Sequence, residues 1–189
     1  MTTSPEHLPS CADCPFPLDR RICRDPKGSG PKGCPSTDFR ERFREVESVY
    51  GEPELREYAR QASIQEAECY AGREVTPYVK HPVKPRLQEI IEFAHRMGYR
   101  RLGLAFCSGL REEARLATEV FRAHGFDVVS VVCKVGAIPK ESIGVRDEEK
   151  INRGSPESMC TPVGQAMVLN AAGTDLNVVL GLCVGHDAL

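Results

Sequence analysis

No stretch of this chain approaches the roughly eighteen consecutive apolar residues that a bilayer-spanning helix needs, which excludes a helical membrane span. Positive charge is not in surplus either. Lys and Arg number 25 against 27 Asp and Glu, a formal net charge of −2. General nucleic-acid binding by phosphate neutralisation therefore lacks its usual footprint, and a membrane-surface role is equally unsupported. Residues Met1 to Ser10 are polar, contain Pro5 and Pro9, and do not show the basic-then-apolar layout of an export signal, so the expected location is cytoplasmic. A GxGxxG phosphate loop is missing, and Gly28-Ser29-Gly30 precedes no strand–helix unit. With 41% hydrophobic and 28% charged residues, the composition is that of a globular protein and not of a disordered one. A length of 189 residues suffices for one full core and a small appendage.

Cysteine is what the chain has in abundance. There are nine, at positions 11, 14, 23, 34, 69, 107, 133, 160 and 183. An odd number without an export signal points to metal ligands or reactive thiols in a reducing compartment, and away from structural disulfides. The layout is uneven: four fall within the first 34 residues and four are spread over the C-terminal half.

Three regions follow from the pattern. Residues 1–35 have no apolar periodicity and cannot bury enough surface to fold alone, so a metal would supply the missing stabilisation. Residues 36–98 read as helical. One helix over 36–50 is capped by Ser36 or Thr37 and carries Phe39, Phe43, Val46 and Tyr50 on one stripe. A second spans 54–71, and a third, about 85–97, follows the extended arm 76–85 and ends at Gly98. Residues 99–189 form a parallel α/β core. Strands are expected over 101–107, 126–133 and 176–183, with helices over about 109–124 and 161–172, the latter capped by Thr161 with Pro162 in its first turn. The strands are apolar on both faces and so should be central and parallel, joined by right-handed crossovers. The expected fold class is thus α/β, a three-layer Rossmann-like parallel sheet preceded by a cysteine-rich knuckle and a helical segment. Residues 134–159 read as a long functional or mobile loop. Its Lys134, Lys140 and Arg146 could meet an anion, although solvated charge is the simpler reading.

Cys11, Cys14, Cys23 and Cys34 have the spacing C-x2-C-x8-C-x10-C. The close pair lets two thiolates grip one metal from a tight turn, and the other two can complete a four-sulfur set. Labile disulfides or unrelated thiols are the alternative. Zinc is the default for such a knuckle, whereas Pro15 after Cys14 and Pro35 after Cys34 lean towards iron–sulfur.

Cys107, Cys133 and Cys183 each end an expected strand, and Cys160 precedes the helix that feeds the third. Parallel strands share one carboxyl edge, where ligands bind, so the four thiols can converge there on a cofactor. Packing of unrelated core cysteines is the competing explanation. Cys107 also lies before a helix N-terminus, which lowers a thiol pKa. With His186 as ligand or proton carrier and Asp187 orienting it, Cys107 is the candidate nucleophile of a thiol-dependent enzyme. A cysteine phosphatase is disfavoured, because Arg111 does not stand at the required spacing. The equally plain account of Gly-His-Asp at 185–187 is a polar turn. Cys69 is expected to fill a helix-packing gap, and His95 to be an ordinary surface residue. Zinc, an iron–sulfur cluster, or one of each are the expected cofactors, with a small molecule or redox partner at the sheet edge. A zinc-stabilised interaction module is the third functional reading.

The pieces "CADCP" at 11–15, "CP" at 34–35, "AFCSGLREEA" at 105–114, "VVCKVGAIPKESIG" at 131–144 and "MCTPVGQAMVLNAAGTDLNVVLGLCVGHD" at 159–187 resemble the domain-of-unknown-function 1847 family. That resemblance covers nearly the whole chain and implies metal binding, naming no substrate. It also implies a further strand-forming region after "GHD", so the chain is expected to be truncated at its C-terminus.

Overall fold

The computed structural model describes residues 8–189. The expectation for Met1 to Ser10 falls largely outside them. The chain divides into two compact units, Met1–Arg60 and Gln61–Leu189.

In the first unit, 3-10 turns at Cys11–Asp13 and Leu18–Arg20 are followed by helices α1 (Pro35–Asp38) and α2 (Arg40–Val49) and the first half of α3 (Pro53–Glu68). A single parallel bridge joins Arg21 to Ser29. The helix expected over 36–50 is broken at Phe39, which leaves helical geometry at φ −106°, ψ 18°. Neither Ser36 nor Thr37 caps it; Cys34 occupies the N-cap position without a side-chain bond. The expected apolar stripe stays in solvent, with Phe43, Val46 and Tyr50 all exposed. None of the described residues of this unit is buried.

In the second unit the rest of α3 is followed by a hairpin that the sequence pattern does not announce. Strand β1 (Tyr70–Ala71) pairs antiparallel with β2 (His81–Pro82). Helix α3 therefore stops at Glu68, three residues early, and part of the expected arm 76–85 is strand. Helix α4 (Arg86–Arg96) leads to β3 (Arg101–Phe106), α5 (Arg111–Ala123), β4 (Asp127–Val132), α6 (Pro162–Ala171) and β5 (Leu176–Leu180). The three long strands form one parallel sheet in the order β4-β3-β5, so this is an α/β fold. Only β3 is central; β4 and β5, expected to be central too, are edges.

Period-2 alternation sends neighbouring residues of β3 to opposite faces. Leu102 packs with Ile91 and Ala94 of α4 and Phe121 of α5, while Ala105 packs with Val131 of β4 and Leu169 of α6. The helices thus cover both faces. Gly103 faces the α6 side, where a Cβ would overlap the Asn177 amide and stand 3.0 Å from Leu169, so a side chain there would push β5 off the sheet. At the opposite end the Asp175 carboxylate accepts the Arg100 and Arg101 N–H groups at 2.8 Å, which sets the register of β5 on β3. Those two bonds hold its pKa below the usual range.

Candidate metal centre

All three strands end before their cysteines. The ladder nevertheless continues past the ends: Cys107 N–H donates to Leu180 O at 3.3 Å and Cys133 N–H to Phe106 O at 2.9 Å. Cys107 and Cys133 are therefore fixed one residue beyond adjacent strand ends. The expected strand 176–183 stops at Leu180 because Gly181 adopts φ +53°, in a place where a Cβ would overlap Leu110. The chain then turns, with Gly185 at φ +79° and His186 N–H bonded to Cys183 O at 2.9 Å. That turn folds His186 back beside Cys183.

Cys160 reaches the same edge because the long loop is tied down. Met159 N–H bonds Ile138 O and Thr161 N–H bonds Cys133 O, both at 2.8 Å, and Lys134 Nζ donates to Ser158 O at 2.6 Å. Thr161 does not cap α6; its hydroxyl donates instead to Val135 O at 2.9 Å and Cys133 O at 3.3 Å. Within the loop Lys140 pairs with Glu157, and Arg146 with Glu148 and Glu149. Buried Lys150 pairs with Glu141 and with Asp147 at 3.2 Å. The solvated reading is thus corrected for Lys134 and Lys140, half-buried ties of the loop, and holds for Arg146, whose side chain is exposed.

The outcome is a compact donor group. The Cys160 and Cys183 sulfurs and a ring nitrogen of His186 all lie within 4.8 Å of one another. Cys107 hydrogen-bonds Cys183, and this bond, with the charges of Cys107, Cys160 and Cys133, pushes the Cys183 thiol pKa up. Cys133 is 2% exposed and accepts the Ser108 N–H at 3.4 Å. Cys183 is exposed, so the group is open to solvent. The buried Nδ1 of His186 has no hydrogen-bond partner, so Asp187, expected to orient the ring, is not bonded there. His186 Nδ1 is thus a buried polar atom without a protein partner, on the turn that carries Cys183. All nine cysteines are free.

One participant escaped the sequence reading. Gln165, 1% exposed, donates from Nε2 to Val131 O at 2.8 Å and Phe106 O at 3.3 Å. It clamps together the two strand ends that carry Cys107 and Cys133. The available signal was a glutamine in the apolar run Val163–Leu169, four residues after Thr161. Cys69 is buried and donates its thiol proton to Gln65 O at 2.9 Å, in keeping with helix packing; burial, then Glu89, pushes its pKa up. His95 stacks on Phe126 with ring centroids 4.5 Å apart.

The four N-terminal cysteines line a single cavity of about 250 Å³. Cys11 and Cys23 are exposed, Cys14 and Cys34 half-buried. Arg21 braces one wall, donating to Phe16 O at 2.7 Å and Cys14 O at 3.2 Å.

Fold and site define an α/β protein with a thiol–imidazole group at the carboxyl edge of a parallel sheet. The model of the family described as "Protein of unknown function (DUF1847)" matches residues 34–189, and the chain belongs to that family. It is 47% identical over 135 residues to an uncharacterized protein of Methanocaldococcus jannaschii, a match that takes in 71% of this chain and 66% of that one. The chain thus spans just under two thirds of that relative's length. No solved structure matches. No helix among the described residues is long and apolar enough to cross a membrane.

Proposed function

We propose that this is a metal-binding protein of the cytoplasm with two cysteine-rich sites. The sheet-edge site binds one ion through Cys160, Cys183 and His186, with Cys107 as fourth ligand. The observation that carries this is the approach of three donors to within 4.8 Å beside an unpartnered, buried His186 Nδ1. Three thiolates and one imidazole are a set that zinc favours, at about 2.3 Å from sulfur and about 2.0 Å from nitrogen. The Ser108 N–H on Cys133 keeps a fourth thiol next to the ligands. The second site is the N-terminal set Cys11, Cys14, Cys23 and Cys34, where the metal replaces a core that residues 1–35 lack. On this reading the α/β unit is a three-layer, Rossmann-like core. The exposed Cys183 leaves the sheet-edge centre reachable by a small molecule or redox partner.

Ligation requires the thiols to lose their protons. Crowding of four thiols makes that harder at Cys183 in the free protein, and a cation removes the penalty. The same crowding speaks against Cys107 as a free nucleophile, since His186 Nδ1 has no carboxylate partner to support a thiol–imidazole pair. The test is metal analysis of the purified full-length chain beside Cys160→Ser with Cys183→Ser, and beside His186→Ala. The expected result is loss of one equivalent in the double variant and a drop in affinity of at least about 100-fold for His186→Ala. Unchanged metal content in both would refute the reading.

A further inference from the structure

The two cysteine sets differ in how far apart they hold their sulfurs. This difference bears on the N-terminal site and rests on the reading of that site as metal-binding. At the sheet edge, three donors have drawn within 4.8 Å. No three of Cys11, Cys14, Cys23 and Cys34 do so among the described residues, yet all four border one cavity of about 250 Å³. A single zinc ion with bonds of about 2.3 Å sets its four sulfurs about 3.8 Å apart and leaves no space between them. A cubane cluster holds its ligating sulfurs about 6–7 Å apart, around a core that fills the space.

We infer that the N-terminal cavity takes a [4Fe–4S] cluster and not a single ion. Three further observations agree. The walls between the cysteines include the apolar Pro15, Ile22 and Pro31, a lining suited to inorganic sulfide. Gly30 approaches Cys34 so closely that a Cβ would stand 2.6 Å from its sulfur, so the residue type there is set by where Cys34 must sit. Arg21 places its guanidinium in the cavity wall, beside what would be four thiolates. The family model begins at residue 34, so Cys11, Cys14 and Cys23 lie outside it.

The experiment is anaerobic reconstitution of the chain with ferric and ferrous iron in equal amounts and sulfide, so that two of each with four sulfides give the [4Fe–4S]2+ core, read by acid-labile sulfide, iron content and absorbance near about 400 nm. The expected product carries about four irons and four sulfides per chain. In Cys23→Ser with Cys34→Ser the sulfide should be lost, and in Cys160→Ser with Cys183→Ser it should persist. Gly30→Ala, which displaces Cys34 while keeping all nine thiols, should lower sulfide at least about twofold. Sulfide that does not assemble, or that follows Cys160 and Cys183, overturns the inference. Zinc held by the four N-terminal cysteines without sulfide also overturns it, while leaving the proposed metal site intact. Failure of these cysteines to hold any metal overturns both.

Discussion

Residues 8–60 contain four cysteines and no buried residue, whereas residues 61–189 contain five cysteines, three of them buried, and a buried apolar cluster on each face of the sheet. The same ligand chemistry therefore stands in opposite relation to folding. In the second unit the sheet exists first: its parallel ends carry Cys107 and Cys133 to one edge, and the loop ties and the Gly185 turn deliver Cys160, Cys183 and His186. In the first unit there is no apolar interior to hold the cysteines, so on the proposed reading the metal organises the chain. A core can build a metal site, and a metal can stand in for a core. On the proposed reading this chain uses both.

The largest break in that comparison is expected from metal removal. A chelator, or Cys11→Ala with Cys14→Ala, should make residues 1–35 fully protease-sensitive while the α/β unit keeps its circular dichroism and its cooperative melt. Equal protease resistance before and after would show that the first unit needs no metal. Next in size, Phe121→Ala should cost about 3–5 kcal/mol in denaturant unfolding of the second unit, because Phe121 is 1% exposed at the centre of the α4–α5 face. The N-terminal metal content should be unaffected.

Smaller and more pointed is Gln165→Ala. It should lower sheet-edge metal affinity by about 10–100-fold and stability by about 1–3 kcal/mol, since it frees the ends of β3 and β4. A stability loss with unchanged affinity would mean that Gln165 braces the fold only. Smallest is the ion pair beside Cys69. The Lys84 ammonium, with the Gln65 and Gln88 amides, holds the Glu92 carboxyl down to about 2, with Lys84 Nζ at 2.6 Å. A carboxyl depressed in the folded state stabilises above its ordinary value, and that contribution is lost as pH falls from about 4.5 towards about 2. Glu92→Gln should cost about 1 kcal/mol near neutral pH and flatten the stability profile in that acid window. An unaltered profile would assign the acid sensitivity to other carboxylates.

The residues that determine the parallel sheet were legible because their pattern is local. "LGLAF" and "VVSVV" bounded by helical periodicity can hardly be anything but strands of a βαβ unit. The expected convergence of strand-end cysteines rested on topology alone; the donors within 4.8 Å are Cys160, Cys183 and His186. The misread features are those where a contact distant in sequence overrides local preference. The Tyr70–Ala71 and His81–Pro82 hairpin depends on two segments meeting across a turn. Thr161 abandons its cap to bond Val135 and Cys133, and Lys134 leaves solvent for Ser158 O.

From the sequence by itself came the fold class, the two cysteine sets and the edge at which the second set gathers, because hydrophobic period and strand polarity are properties of short segments. Which donors meet was decided only by the tertiary structure. Gly181 ends β5 early and Gly185 turns the chain, so that Cys183 and His186 approach Cys160 while Cys133 takes the Ser108 N–H. Spacing along a chain cannot specify the few ångströms that separate one ion's ligands from those of a cluster. Those distances arise where strand ends, loop ties and a buried glutamine are packed against one another.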